Sequence, residues 1–389
     1  MDGSDDLTLS LAQGLSKVDR AQWDACANPP GVPYDPFVSW DFLEALELSG
    51  CAVPRQGWAA HHVLARRAKK LVGVAPLYLK SHSQGEYVFD RGWAEALHHA
   101  GGEYYPKVQG AVPFTPATGR RLLTLNPDDH EVERLLALGA IEIARQAEAS
   151  SVHFTFMTKG EQERLAELGY LKRVGVQFHW SNEGYKTFDD FLAALSSIKR
   201  KNIRRERREA RQDITIQRVT GADLTEKMWD VFYECYMDTG SRKWGRPYLN
   251  RKFLSIVGER MADKIVLFVA QRGKKPVASA LNFLGGDTIY GRYWGQLEYV
   301  PFLHFELCYY QAIDLAIELG LKRVEAGAQG EHKLARGYAP VPTYSAHWIA
   351  HSGLRQAVKR FLDQERPAVA DEIEELDEHT PFKKLELGE

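Results

Sequence analysis

Between Lys264 and Tyr338 the chain alternates short apolar runs with turn residues, and this stretch sets the reading of the rest. KIVLFVA (Lys264–Ala270), the charged turn QRGKK, PVASALNFL (Pro276–Leu284), the turn GGD and TIYGRYW (Thr288–Trp294) succeed one another. β-Rich runs broken by Gly, Asp and Lys predict an antiparallel meander. HFELCYYQAIDLAIEL (His304–Leu319) changes the period. Its apolar residues recur at helical spacing, and Gly320 stands where a helix ends on a glycine. Lys322–Glu325 then reads as a short strand, and the glycine-rich loop AGAQGEHKLARGY follows. The expectation is three meander strands, a helix and a returning strand.

The first half carries similar signals. Ser39 is placed to cap a helix from Trp40 to Leu48. HHVLARR (His61–Arg67) and LVGVAPLYLK (Leu71–Lys80) flank the turn AKK as a hairpin; GEYVFD (Gly85–Asp90) reads as a third strand and RGWAEALHHAGG as a short helix. YYPKVQGAVPFTPATGRRLL (Tyr104–Leu123) is a strand running into a loop rich in Pro, Thr and Gly. Thr115, Thr118, Gly119 and Arg120, with Arg121 behind, are candidates for holding a phosphate. A polar loop with solvated arginines is the plainer alternative. Asp128 or Asp129 opens a long helix to about Ala149, SVHFTFMT (Ser151–Thr158) is a strand, and VGVQFHW (Val174–Trp180) is another.

The two halves share an order of dipeptides. Gly160-Glu161, Gly169-Tyr170 and His179-Trp180 in the first match Gly330-Glu331, Gly337-Tyr338 and His347-Trp348 in the second, with equal gaps from Gly-Tyr to His-Trp. Duplication of one α/β unit accounts for this. The implied division is 1–183, 184–350 and a helical tail, 351–389, in which GLRQAVKRFLDQER is a helix stopped before Pro367 and an acidic helix follows. The tail is either a docked arm or an oligomer contact.

Between the copies lies Lys186–Arg211, read as one amphipathic helix. Phe188, Phe191, Leu192, Leu195, Ile198 and Ile203 form its apolar stripe. Arg200, Lys201, Arg204, Arg207, Arg208 and Arg211 fall opposite. Charge runs are usually solvated faces, yet six like charges also fit an anion or RNA such as tRNA.

Composition narrows the classes. The net charge of −2 gives no whole-molecule attraction to nucleic acid or membrane. No apolar run is long enough to span a bilayer, and MDGSDDLTLS lacks the blocks of a signal peptide. Cys26, Cys51, Cys235 and Cys308 are scattered, so they read as reduced and structural, Cys308 as core, in a cytoplasmic protein. The doublets His61-His62 and His98-His99 lack a third ligand at useful spacing, so no metal is expected.

Phe188–Tyr338 resembles the FemAB-like branch of the acyl-CoA N-acyltransferase (GNAT) superfamily. The resemblance rests on the helix FDDFLAALSSIKR (Phe188–Arg200) continuing into IRRERREA, the Trp229–Tyr236 helix, KPVASALNFL, and K-x-x-x-G-Y at Lys333, Gly337 and Tyr338. DPFVSWDFLEALE, VGVAPLYLKSHSQGEYVFD and YYPKVQGAVPFTPATG resemble the bacterial subgroup labelled peptidoglycan biosynthesis or recognition. The resemblance implies an α/β chain of two tandem GNAT-like domains with mixed, mostly antiparallel sheets. It also implies transfer of an acetyl, other acyl or aminoacyl group to an amine, on a cell-wall precursor or other anionic metabolite. Acyl-CoA and aminoacyl-tRNA both serve as donors in the wider family, and a binding protein that kept the fold without the chemistry is the third reading.

Amine acylation needs a proton acceptor, a polarised carbonyl and a protonated leaving group. His304, Glu306, Glu331 and Tyr338 are the catalytic candidates, with Glu298, Glu325 and His332 nearby in sequence. Arg292, Trp294, Lys333, Arg336, Gly327 and Gly330 are the candidates for binding donor or substrate.

Overall fold

The computed structural model describes residues 6–243, 247–327 and 330–383, giving backbone alone at 240–243 and 331. Contacts group the chain into two compact units, Met1–Gly175 with Pro342–Ala370 and Val176–Val341 with Asp371–Glu389. The chain thus returns to its first unit after building most of its second, where the sequence suggested contiguous segments.

The first unit opens with β1 (Leu7–Ala12), α1 (Arg20–Ala27) and α2 (Trp40–Leu48), then β2 (Trp58–Ala60), β3 (His62–Arg67), β4 (Lys70–Ala75) and β5 (Leu77–Lys80). Ser39 caps α2 as expected, its hydroxyl accepting from the Phe42 N–H. The β3–β4 hairpin forms, but its second run is cut at Pro76. Proline has no N–H for a ladder, and here β4 and β5 join different sheets. After α3 (Arg91–His99) come β6 (Lys107–Gly110), β7 (Leu123–Thr124), α4 (His130–Gln146), β8 (Ser151–Met157) and α5 (Lys159–Glu167). GEYVFD forms no strand, because Glu86 and Asp90 turn inward onto the buried Lys107. Asp129 caps α4, which ends before Ala149 where Glu148 takes a φ of 50°.

β9 (Leu171–Ser181) carries the chain into the second unit. There the single basic helix of the sequence reading is two helices, α6 (Phe188–Ala194) and α7 (Ser197–Ala210). The C-terminal segment separates them. Leu195 bridges to Phe382, the Ser196 N–H donates to the Pro381 carbonyl at 2.9 Å, and the Lys383 N–H donates to the Ala194 carbonyl at 3.0 Å. Ile198, placed on the apolar stripe by periodicity, is consequently exposed. Next come β10 (Thr215–Val219), α8 (Glu226–Lys243), α9 (Arg251–Arg260), β11 (Ile265–Arg272), β12 (Lys275–Leu284) and β13 (Thr288–Gln296). A helix of three parts follows: α10 (Leu303–Phe305), a π-helical stretch (Glu306–Tyr310) and α11 (Gln311–Glu318). β14 (Arg323–Glu325) and β15 (Ala339–Ile349) lead into α12 (Ser352–Glu378), one helix with Pro367 inside it rather than two. Much of this helix is exposed around Pro367, so the carbonyl that proline leaves unpaired can meet water.

Each unit has the same run of strand pairings. In the first, β2–β5 and β5–β6 are antiparallel, β6–β8 parallel and β8–β15 antiparallel. In the second, β11–β12 and β12–β13 are antiparallel, β13–β14 parallel and β14–β9 antiparallel, with β10 added outside β11. The predicted meander, helix and returning strand are therefore realised. The repeated His-Trp pairs mark the last strand of each set: His347 lies opposite His153, and His179 opposite Glu325. The first unit also has a four-stranded sheet, β1–β3–β4–β7. The fold is mixed α/β, with mixed, mostly antiparallel sheets repeated in tandem and a long C-terminal helix.

Candidate active site

The second unit opens where β13 outruns β14. The two strands pair only from Thr288↔Arg323 to Tyr290↔Glu325, so beyond Tyr290 that edge of β13 has no β14 partner. On its other edge the β12 register slips between Leu281 and Asn282, which pair with Tyr293 and Gly291. Arg292 is the extra residue of this bulge, a device that re-aims side chains near sites. Gly295 is required here for close approach, since a Cβ would meet the Cys235 carbonyl oxygen of α8 at 1.9 Å.

Two cavities lie at this opening. The smaller, about 120 Å³, is walled by Asn282, Arg292, Tyr293, Cys308 and Tyr309 among others. The larger, about 420 Å³, lies towards Thr239, Tyr299, Val300, Phe302 and Phe305. Trp294 and His304 line both, their rings 4.9 Å apart between centroids. Arg292, Trp294 and His304 are thus brought together as the sequence suggested. Cys308, read there as core, is half-buried; it packs against the core and also lines the smaller cavity.

The π-helical stretch explains that placement, because its wider turns rotate side chains away from their α-helical positions. Glu306 points inward and is fully buried. Its carboxylate accepts from Arg207 at 3.1 and 3.2 Å, from Arg211 at 2.8 Å and from Gln311 at 2.8 Å, while Asp314 also holds Arg207. Two arginines and Gln311 hold the Glu306 carboxylate, which makes it their counter-ion; neither it nor Lys333 is part of either cavity wall. The same contacts correct the basic face. Arg207 and Arg211 turn to Glu306, and Arg207 also stacks over Phe188 at 4.1 Å. Arg200, Lys201, Arg204 and Arg208 stay outside this network, Arg204 pairing with Asp189 at 2.9 Å.

The returning loop supplies the remaining groups. Gly327 and Gly330 take φ of 80° and 118°, where a side chain would be strained. The Gly327 carbonyl accepts from Lys333 Nζ at 2.7 Å. Lys333 is buried, and burial pushes its ammonium down to about 8; Cys308 acts against this shift and the Arg292 charge adds to it. Arg336 donates to Glu206 at 2.9 Å and to the His332 carbonyl at 2.7 Å, and its guanidinium lies 3.3 Å from the Phe305 ring centre. Tyr309 and His332 share a hydrogen bond of 2.8 Å. Tyr338 is fully buried beside Tyr309, and its hydroxyl has no partner among the described residues. Burial holds that hydroxyl well above the usual phenol range, so it stays protonated. The side chain of Glu331 lies outside the described residues. Glu298 pairs with Arg272 at 3.0 Å on the surface.

His179 was noticed only as part of a repeat. It is buried, 3.2 Å from Gln177 and 3.9 Å from Glu325. Burial, with the Arg323 and Lys333 charges near it, lowers it to about 3, so it is neutral.

The loop after β6 in the first unit is committed to its own backbone. Thr115 donates to the Pro113 carbonyl at 3.0 Å, and the Gly119 N–H donates to the Phe156 carbonyl at 3.0 Å. Arg120 bonds Thr124 at 3.1 and 3.2 Å, and buried Arg121 bonds the carbonyls of Ala117 and Thr155 at 2.6 and 2.9 Å. Thr118 is half-buried in the same loop. The donors proposed for an anion therefore satisfy the loop itself. Beside it, Lys107 Nζ donates to Glu86 at 2.6 Å, to Asp90 and to Ser83 at 2.8 Å. Tyr104 links Asp90 to His153, and His153 and His347 join Nδ1 to Nδ1 at 2.7 Å.

Among the described residues no helix is long and apolar enough to cross a membrane. No curated protein matches the chain. FemX superposes with a TM-score of 0.56 at 13% identity, over 88% of this chain and 98% of its own. A conserved protein of unknown function from Bacteroides thetaiotaomicron gives 0.54 at 12%, over 88% and 100%. L-PGS from Bacillus licheniformis gives 0.51 at 12%, over 86% and 99%. At such identities these likenesses speak for the fold. The model of one family, FemAB-like, described as peptidoglycan biosynthesis/recognition, matches residues 14–384, and the chain belongs to that family.

Proposed function

We propose that the second unit is an N-acyltransferase, moving an acyl or aminoacyl group from an activated donor to an amine. Acyl-CoA is the donor in this reading, and the acceptor is a peptidoglycan-precursor-like or other anionic metabolite. The observation that carries it is the β13 edge beyond its β14 pairing, which opens onto Trp294 and His304, with the buried Lys333 ammonium on the loop behind. A strand edge offers backbone donors to a carbonyl oxygen, and a cation in a dry setting strengthens that polarisation. His304 is the group placed to accept the amine proton. A thiol leaving group has an ordinary pKa of about 8.5, so it departs without help from the buried Tyr338. A tRNA-linked donor would have to use Arg200, Lys201, Arg204 and Arg208, since Arg207 and Arg211 are engaged elsewhere.

Calorimetric titration with acetyl-CoA and desulfo-CoA tests the donor. One saturable site per chain, weakened by Arg292→Ala, is the expected result. Two sites would place a donor in the first unit as well, and no binding would remove CoA from the reading.

A further inference from the structure

The larger cavity has a chemistry of its own. Its described wall includes Trp294, Tyr299, Val300, Phe302 and Phe305, with Thr239, Gln296 and His304 as polar members and no charged side chain among the described residues. Thr239 is already engaged, its hydroxyl accepting the Gln296 N–H at 3.0 Å. Tyr299 stands at the rim, 78% exposed, and Val300 is buried beneath it. At about 420 Å³ the space is within the range of ligand pockets. It is far larger than an acetyl group, with room for on the order of a dozen non-hydrogen atoms at ~30 Å³ each. It also meets the smaller cavity at Trp294 and His304, where the reacting carbonyl sits under the proposal above. A space whose described wall is aromatic and uncharged, adjoining the reaction centre at Trp294 and His304, suits the chain attached to that carbonyl. A charged acceptor would lose its hydration there without a partner.

We infer that this cavity holds the apolar chain of the transferred acyl group, so that the preferred donor is a medium- or long-chain acyl thioester and not acetyl-CoA. This rests on the transferase reading of the same opening. Apolar burial then sets the selectivity, and each methylene that enters the cavity tightens binding by about fourfold until the space is full.

The test is a binding and turnover series with acetyl-, butanoyl-, octanoyl- and dodecanoyl-CoA, on the full chain and on two variants. Val300→Trp takes up about half of the cavity's room at ~30 Å³ per non-hydrogen atom, and should bring the optimum back towards short chains while leaving acetyl-CoA binding within about twofold. Tyr299→Arg changes an exposed rim residue and keeps the test informative if Val300→Trp does not fold. It should weaken the long chains by more than the short ones, because a charge then borders their path. Affinity rising with chain length, and blunted in either variant, is the expected result. A flat series from acetyl-CoA upwards overturns the chain-binding cavity and leaves the transfer reading standing. If no thioester of any length binds, CoA leaves the transfer reading, as above, and the cavity inference falls with it.

Discussion

The two units use one strand plan for opposite ends. Beyond its parallel pair, β13 runs on beside cavities lined by Trp294 and His304. Beyond the matching pair in the first unit, β6 gives way to a loop whose Arg121 bonds the carbonyls of Ala117 and of Thr155 in β8. The parallel pairing begins at Thr288 in the second unit and at Val108 in the first, directly after Lys107. Lys107 brings Glu86 and Asp90 inside with it. The last strand repeats the contrast, with His179 opposite a carboxylate and His347 bonded to another histidine. In the first unit the buried charges of Lys107, Glu86 and Asp90 pair with one another. In the second, several polar side chains stand around open space.

The sharpest way to break this comparison is to remove the buried lysine from each side. Lys107→Met strands two buried carboxylates, and the loss of one partner from a buried ion pair costs about 3–5 kcal/mol. Lys80 is the nearest remaining cation, 3.8 Å from Glu86. Urea unfolding should therefore show a large loss of stability, while kcat per folded molecule stays near that of the parent. Lys333→Met reverses the pattern. It leaves one carbonyl without its donor, and removing a preorganised donor to an oxyanion costs about 10²–10³ in kcat. Unfolding midpoints should move little. Equal effects of the two substitutions on both readouts would mean that the units do not divide stability and chemistry in this way.

Much of the second unit was readable from period alone. Meander, helix and returning strand follow from the apolar spacing of Lys264–Glu325, and the same stretch offered Arg292 and Trp294 as candidates for binding and His304 for proton transfer. The misread parts depend on distant partners. Arg207 and Arg211 belong to a solvent face by local periodicity, and only the fold brings Glu306 and Asp314 of another helix against them. Cys308 packs against the core as read, and it also reaches the smaller cavity because it lies in a π-helical stretch, a change of phase that a 3.6-residue pattern does not register. The break at Leu195 needs Phe382, nearly the whole second unit away in sequence. The strand exchange left a trace, the repeated His-Trp pairs, which showed duplication without showing which sheet each strand would join.

A smaller effect separates the units by pH. Burial lowers His153 and His179 to about 3 and lowers His347 strongly as well. From about 6.5 down to these folded values, the unfolded chain binds protons that the folded chain does not. Stability therefore falls as pH drops through this window, by about 1.4 kcal/mol per pH unit for each ring. Replacing His153 and His347 by Gln should remove two such contributions, and His179→Gln one. Urea unfolding at about pH 7 and about pH 5 measures the slopes. Slopes that match the parent in all variants would mean that these rings are protonated in the fold.

The smallest expected effect is a shift of the activity profile, and it probes the open side directly. Burial lowers Lys333 to about 8, and the positive charge of Arg292 contributes to the same direction. If the ammonium polarises the carbonyl, activity is full below that value and is lost as pH rises through it. Arg292→Ala removes a like charge, so the Lys333 pKa and the descending limb of kcat should both rise, by up to about one unit, or about 1.4 kcal/mol. Arg292→Lys keeps the charge and should leave the limb in place. The first unit offers the control. Burial brings Lys80 to about 7, lowered from the usual lysine range like Lys333, but its Nζ lies 3.5 Å over the Trp58 ring and bonds the Gln84 carbonyl. Lys80→Met should therefore leave the limb unmoved, whatever it does to stability. An ascending limb near 8 would instead make neutral Lys333 the active form, a proton acceptor at the amine, and His304 would lose that role.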